Sequence, residues 1–406
     1  MILCVASPRA MDNPMFKIQT RNAIATCGLD RFPKSSYQVS ADVDAPDALL
    51  VRSADLHDSV LPASLLAVAR AGAGTNNIPV KHLTDIGVPV FNAPGANANA
   101  VKELVIAALF LAARNICQAA QFVRSLESEG DALDIDVEAG KKRFVGYELP
   151  GRTLGVIGLG AIGVLVANTA HALGLRVLGF DPQITVQRAW QLSAGVEQAG
   201  SVEDLCARAD FVTVHVPLIP ETTGLIHAGR LRLFKSGAAL LNFARADVVI
   251  EHDVLTALDQ GQLSSYICDF PTAKTKVHPR VVALPHLGAS TGEAEDNCAT
   301  FVADTLRDFL ENGNVRNSVN FPEAVLPRMA GTHRLVIANA NVPNMVGQIS
   351  TALALANLNI ADLLNKSRGD IAYTIIDTDA PIPTDIVPAL RAISGVLSAR
   401  LIGSVP

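Results

Sequence analysis

Residues 148–182, ELPGRTLGVIGLGAIGVLVANTAHALGLRVLGFDP, limit what this chain can fold into more than any other stretch. Thr153 to Ile157 reads as a buried parallel strand, and glycines follow at 158, 160 and 163, the first, third and sixth places of the turn. Gly158 permits a tight reversal, Gly160 lets backbone approach a pyrophosphate, and Gly163 lets the next helix pack close to the strand. That helix, expected from about Ile162 to Leu173 and ended by Gly174, directs free amides from its start at Ala161 and Ile162 toward phosphates. A second strand, Arg176 to Phe180, finishes at Asp181, where a carboxylate accepts bonds from an adenosine ribose and repels a 2′-phosphate; NAD is thus favoured over NADP. A glycine turn alone can bind nothing. The flanking strand, helix and terminal acid decide for a dinucleotide.

At 406 residues two or three domains are expected. The net charge of −6 is interspersed, which excludes an electrostatic footprint for nucleic acid or an anionic membrane. Cys4, Cys27, Cys117, Cys206, Cys268 and Cys298 are scattered without CxxC spacing, so reduced, mostly buried thiols in a cytoplasmic protein are expected, and no metal. The N-terminus, MILCVASPRAMDNP, lacks a basic region before its apolar residues and reads as a first strand, not a secretory signal. The longest apolar run, Leu104 to Ala113, is too short to span a bilayer.

From the start to about Pro94, short strands and helical stretches alternate as a small α/β layer. Within it Val51-Arg52-Ser53 and the turn Arg70 to Asn77 could each grip an anion, through a guanidinium or through exposed amides. A surface ion pair and a simple reversal are the competing readings. Asn92 to Asn99 looks like a hinge, with Asn97 or Asn99 capping a long helix from about Ala100 to Ser125. The acidic stretch Glu127 to Glu138 reads as a solvated loop, and the cluster Lys141-Lys142-Arg143 as solvent-facing or phosphate-facing. Further strands end near His215 and Pro217, Arg245, Asp269 and His286. In an open parallel sheet Gly158, Asp181 and these residues share the carboxyl edge, where ligands bind. An amphipathic helix from Thr291 to Asn312, with Phe301, Thr305, Leu306, Phe309 and Leu310 on its face, leads through a proline-bearing linker. The last unit, 335–404, then has a split βαβ, ferredoxin-like plan as a separate body. With a dinucleotide bound, His286 suits the proton transfer of alcohol oxidation and Arg245 a bidentate hold on a substrate carboxylate. Taken alone, His215 reads as structural.

The segments FNAPGANANAVKELV, LGVIGLGAIG, HVPLIPETTGLI, LLNFAR and ALPHLGAST, in this order, resemble the D-isomer-specific 2-hydroxyacid dehydrogenases, most closely those acting on 3-phosphoglycerate in serine biosynthesis. NANVPNMVGQIS and NLNIADLLNKSRGD resemble an ACT-type regulatory domain. The resemblance implies a Rossmann-type NAD domain (96–287) inserted in a discontinuous flavodoxin-like substrate domain (1–95 with 288–325), followed by a ferredoxin-like ACT domain (331–406). It assigns Gly158, Gly160, Ala161, Ile162, Gly163, Asp181, His215, Pro217, Ala244 and Asp269 to NAD, and Arg52, Ser53, Ala73, Gly74, Asn97, Lys141 and Arg245 to substrate. His286 is the implied acid/base. Asn339, Asn341 and Asn359 are implied L-serine contacts between paired domains, although Asn339 stands where a histidine is frequent, and a homodimer or homotetramer is expected. Relatives carry a Glu after the segment here written CDFPTAKT to orient the histidine. This chain has Ala273 and Lys274 instead, which leaves two outcomes: Asp269, the nearest carboxylate, or another acid partners the ring, or the histidine is unsupported and turnover is slow; the first, with Asp269, is the expectation. Two rivals stand: a glyoxylate or hydroxypyruvate reductase, and an NAD-responsive binding protein without turnover.

Overall fold

The computed structural model describes residues 15–403. The strand expected within the first fourteen residues lies outside them; the first described strand is β1 (Phe16–Arg21). With β2 (Tyr37–Ser40), β3 (Ala48–Val51), β4 (Ala67–Arg70) and β5 (Val90–Phe91) it forms a parallel sheet in the order β2-β1-β3-β4-β5. This is a flavodoxin-like, doubly wound order. β3 is Ala-Leu-Leu-Val with every side chain buried, as a parallel strand covered on both faces demands.

A second parallel sheet holds β6 (Thr153–Ile157), β7 (Arg176–Phe180), β8 (Val196–Gln198), β9 (Phe211–Val214), β10 (Ala238–Asn242), β11 (Leu263–Cys268) and β12 (Val281–Ala283). Its order is β12-β11-β10-β9-β6-β7-β8. Counted from β6, this is the Rossmann order with one strand added, and the direction of winding reverses between β6 and β9. The glycine-turn helix runs Ala161–Ala172, as the sequence indicates.

Two helical expectations change. The helix expected over 100–125 is broken: one helix spans Ala98–Arg114, another Ile116–Arg124, and Asn115 between them is left-handed at φ 50°. The returning chain explains the break, because Tyr147 N donates to the Ala113 carbonyl at 3.0 Å, taking an acceptor the helix needs to continue. The acidic stretch expected as a loop forms the helix Asp131–Gly140. Asp131 and Asp134 lie in its first turn, where carboxylates oppose the positive end of the helix dipole.

The helix Gly292–Asn312 buries Cys298, Ala299, Val302, Ala303, Leu306, Phe309 and Leu310, a stripe at three- and four-residue spacing. Phe301 is only half-buried. Beyond it, β13 (His333–Ala340), β14 (Ile360–Arg368), β15 (Ile371–Thr378) and β16 (Val396–Ile402) form an antiparallel sheet ordered β14-β15-β13-β16. With the helices Met345–Leu355 and Ile386–Arg391 this is a βαββαβ unit. Leu335, Ile337 and Ile376 face those helices. The opposite face does not stand apart, as the sequence led us to expect. Val336, Ala338, Tyr373 and Ile375 share one apolar cluster with Phe91 of β5, Leu306, Phe309 and Phe321. By contacts the chain divides into two compact units, Met1–Asn97 with Glu295–Pro406, and Ala98–Ala294.

Arg334, fully buried on β13, anchors the antiparallel sheet. Its Nε and one Nη donate to the two carboxylate oxygens of Asp377, each at 2.7 Å. The carbonyls of Asn312 (3.0 Å), Leu326 (2.8 Å) and Pro327 (3.2 Å) take the rest. All five guanidinium donors are thereby used. Arg400 and Tyr373 add bonds to the carbonyls of Leu310 and Gly313.

Candidate active site

The strand register fixes which residues meet in the Ala98–Ala294 unit. Phe180, Ile157, Val214, Asn242, Cys268 and Ala283 lie in one row across β7, β6, β9, β10, β11 and β12. One step beyond the row come Asp181, Gly158, His215, Phe243, Asp269 and Leu284, still linked by ladder bonds such as Gly158 N to Phe180 O (2.8 Å) and His215 N to Ile157 O (2.7 Å). Adjacent members of that row are about 4.8 Å apart. Arg245 and His286 follow within three residues of it.

The glycine turn fits the pyrophosphate of a dinucleotide. Gly158 sits at φ 92°, and a Cβ on it would lie 2.6 Å from the His215 carbonyl oxygen; one on Gly163 would lie 1.9 Å from the Gly158 oxygen. Gly160 has nothing within 4 Å of its would-be Cβ, so the space beside it is free for a ligand. Asp181 binds the turn itself, accepting from Leu159 N at 2.9 Å and from Gln183 N at 2.9 Å. His215 faces Thr213 through Nε2 at 3.0 Å, while its buried Nδ1 has no partner. Burial pushes this imidazole down to about 3, so it is neutral at working pH. Pro217 is exposed and Ala244 buried. We expect Gly160→Ala to fold with an unchanged Tm and lose at least about tenfold in NADH affinity, because its methyl fills only the ligand's space. Gly163→Ala should lower both, since its methyl meets backbone. Fluorescence titration with NADH beside thermal unfolding checks the pair.

Arg245 is exposed beyond β10, and its turn is braced by the fully buried Asn242, which accepts from Ala244 N (3.1 Å) and donates to Arg245 O (3.0 Å). Asn242 escaped the sequence reading as a functional support. The signal was a polar residue closing the apolar strand AALLN. His286 is also exposed, at φ 56°, a left-handed conformation costing a non-glycine residue on the order of 1 kcal/mol. Its ring meets the edge of Phe270 with centroids 5.3 Å apart. Asp269 is not its ring partner, contrary to expectation. The carboxylate, 2 % exposed, accepts from Leu287 N at 2.7 Å and Gly288 N at 2.6 Å. Among the described residues no carboxylate is bonded to the His286 ring.

In the other unit, Val51 and Arg70 are register partners, so the turns after β3 and β4 adjoin. Asn77 ties them, accepting from Arg70 Nε (3.0 Å) and donating to the carbonyls of Arg52 (3.3 Å) and Ala54 (2.7 Å). Arg52 is paired with Glu295, Ser53 is exposed, and Ala73 receives a bond from Asn92. Gly74 and Asn97 are half-buried, and Asn97 immediately precedes the Ala98–Arg114 helix. Asn99 lies inside that helix and donates to Glu103 at 2.9 Å. Lys141 is exposed and paired with Glu138, and Arg143 stacks 4.4 Å over Phe122. The three asparagines of the antiparallel sheet are separate. Asn339 is buried and donates to the Ala340 carbonyl; Asn341 donates to Gly369 O at 2.9 Å; Asn359 donates to Asp379 at 2.8 Å. Asn341 and Asn359 lie toward opposite ends of β15, about 23 Å of strand apart. Cys206, Cys268 and Cys298 are buried, with the Cys206 thiol pushed up to about 12, whereas Cys117 is exposed and Cys27 half-buried. Among the described residues no cluster of His, Cys, Asp and Glu could hold a metal, and no helix is long and apolar enough to cross a membrane.

Residues 106–288 match the family described as D-isomer specific 2-hydroxyacid dehydrogenase, NAD binding domain. The chain is 32 % identical over 352 residues to a D-3-phosphoglycerate dehydrogenase of Haemophilus influenzae, covering 83 % of this chain and 81 % of that protein. It belongs to the D-isomer-specific 2-hydroxyacid dehydrogenases. A second relative, the D-3-phosphoglycerate dehydrogenase of Methanocaldococcus jannaschii, is 36 % identical over 312 residues; the match spans 75 % of this chain and 57 % of the relative. In fold, this dehydrogenase is similar to the NAD+-bound 3-phosphoglycerate dehydrogenase of Entamoeba histolytica. The TM-score is 0.60 and the identity 24 %, over 75 % of this chain and 98 % of that one. The family and the glycine turn make this chain an NAD-dependent dehydrogenase.

Proposed function

We propose that this dehydrogenase oxidises D-3-phosphoglycerate to 3-phosphohydroxypyruvate, the first step of L-serine biosynthesis. The observation that carries the reading is the set of curated relatives bearing that name at 32–40 % identity. NAD, which the turn of Gly158, Gly160 and Gly163 and the carboxylate of Asp181 would hold, would supply the hydride acceptor. Arg245 grips the substrate carboxylate with two parallel N–H bonds, and His286 takes the hydroxyl proton as the carbonyl forms. His215, held neutral, is a cofactor contact. Arg52, Ser53, Ala73, Gly74, Asn97 and Lys141 contact substrate, and the arginine must exchange Glu295 for it.

The domain boundaries we propose are 1–95 with 288–325, 96–287 and 331–406, the last being an ACT-type domain supported by the βαββαβ order. Its asparagines bind L-serine only when two domains pair, since one chain holds Asn341 and Asn359 apart. Self-association is supported by the exposed Phe110, Ile116 and Val123 on the two helices around Asn115.

NADH consumption with 3-phosphohydroxypyruvate, hydroxypyruvate and glyoxylate, each with and without L-serine, tests the reading. We expect at least about tenfold higher kcat/KM for the phosphorylated acid, the scale of one or two charge-assisted bonds. Equal rates for the three would favour a glyoxylate or hydroxypyruvate reductase. NADH binding without turnover would mean a cofactor-responsive binding protein.

A further inference from the structure

His286 stands on an exposed loop in a conformation that an ordinary side chain avoids, with the edge of Phe270 against its ring. The next two amides, of Leu287 and Gly288, both point at the buried Asp269 carboxylate. Successive N–H groups beside a left-handed residue form a concave anion cradle, and here the anion is a side chain of the same chain. A carboxylate so deeply buried must keep its donors, and the loop cannot move without leaving that charge unsatisfied. Asp269 is in turn fixed on β11's end by its own N–H to the Asn242 carbonyl at 3.2 Å.

We propose that Asp269 is a positioning residue that acts on His286 through the backbone: it clamps the two amides after the histidine and so sets where the imidazole projects. The proposal rests on the reading of His286 as the acid/base. It needs no carboxylate on the ring.

Two variants test it in the full chain. Asp269→Asn keeps shape but puts an amide nitrogen against one of the two N–H groups. Gly288→Ala leaves every charge in place, yet its methyl would lie 3.0 Å from Asp269 Oδ2 and press the carboxylate away. With NADH and 3-phosphohydroxypyruvate, both should lower kcat, Asp269→Asn by about a hundredfold, the effect of misplacing a catalytic group by about an ångström. The KM for the keto acid and the NADH Kd should stay within threefold, on the order of 0.7 kcal/mol, and the inflections of the pH–rate profile should not move. A shifted inflection with the rate restored at another pH would make Asp269 the ring's partner and overturn the clamp. Weakened NADH binding with full kcat at saturation would make it a cofactor contact, and unchanged kcat in both variants would leave it no role. His286→Gln run alongside separates the two levels: if it retains full rate, the acid/base assignment fails whatever Asp269 does.

Discussion

His286→Gln is expected to lower kcat by about a hundredfold to ten-thousandfold, the usual worth of a positioned proton carrier, with the NADH Kd unchanged. The structure offers two histidines along the carboxyl edge of the Rossmann sheet and distinguishes them physically. His215 is half-buried with its Nδ1 enclosed, bonded to Thr213, and pushed down to about 3 by burial, so it does not change charge in the range where an enzyme works. His286 lies two residues past the edge row, exposed to whatever enters from solvent. Steady-state rates beside a fluorescence titration of NADH check the prediction. A rate within threefold of the native enzyme, on the order of 0.7 kcal/mol in the barrier, would remove His286 as the proton carrier.

The second large effect is on stability. Asp377→Ala should destabilise the chain by about 3–5 kcal/mol, because it leaves the Arg334 cation buried with two of its five donors unpaired. The double variant Arg334→Met with Asp377→Leu leaves no buried charge but strips the donor from the carbonyls of Asn312, Leu326 and Pro327, so it should still destabilise, by less than the two single changes added together. Urea unfolding of the single and double variants gives the comparison. A single variant that unfolds at the native midpoint would show that the pair holds nothing together.

Local physics made the dinucleotide turn legible: a glycine whose Cβ would overlap a carbonyl has few substitutes, and the strand, turn, helix and Asp181 stand within one short stretch. The βαββαβ unit was legible for the same reason, since its Pro343 turn and the Arg368-Gly369-Asp370 hairpin punctuate strong apolar runs. The break at Asn115 was hidden, because the apolar period runs through it and the competing donor, Tyr147 N, comes from a distant return of the chain. Asp269 misled for a related reason. Chemistry pairs a carboxylate with an imidazole, but the amides of the following loop reached it first. Arg334 was illegible as an anchor, for its acceptors come from residues 312, 326, 327 and 377.

The shared apolar cluster beneath the antiparallel sheet has a practical meaning. Val336, Ala338, Tyr373 and Ile375 do not rest against a partner that could be left behind; they form one wall of the interior that also contains Phe91 and Phe309. A chain truncated near residue 330 would turn that wall outward as a wet apolar surface and invite aggregation. Grafting the sheet onto another enzyme would bare its other half. The boundary between the two sheets is thus a seam inside a core, where neither piece is portable without redesigning the face it leaves.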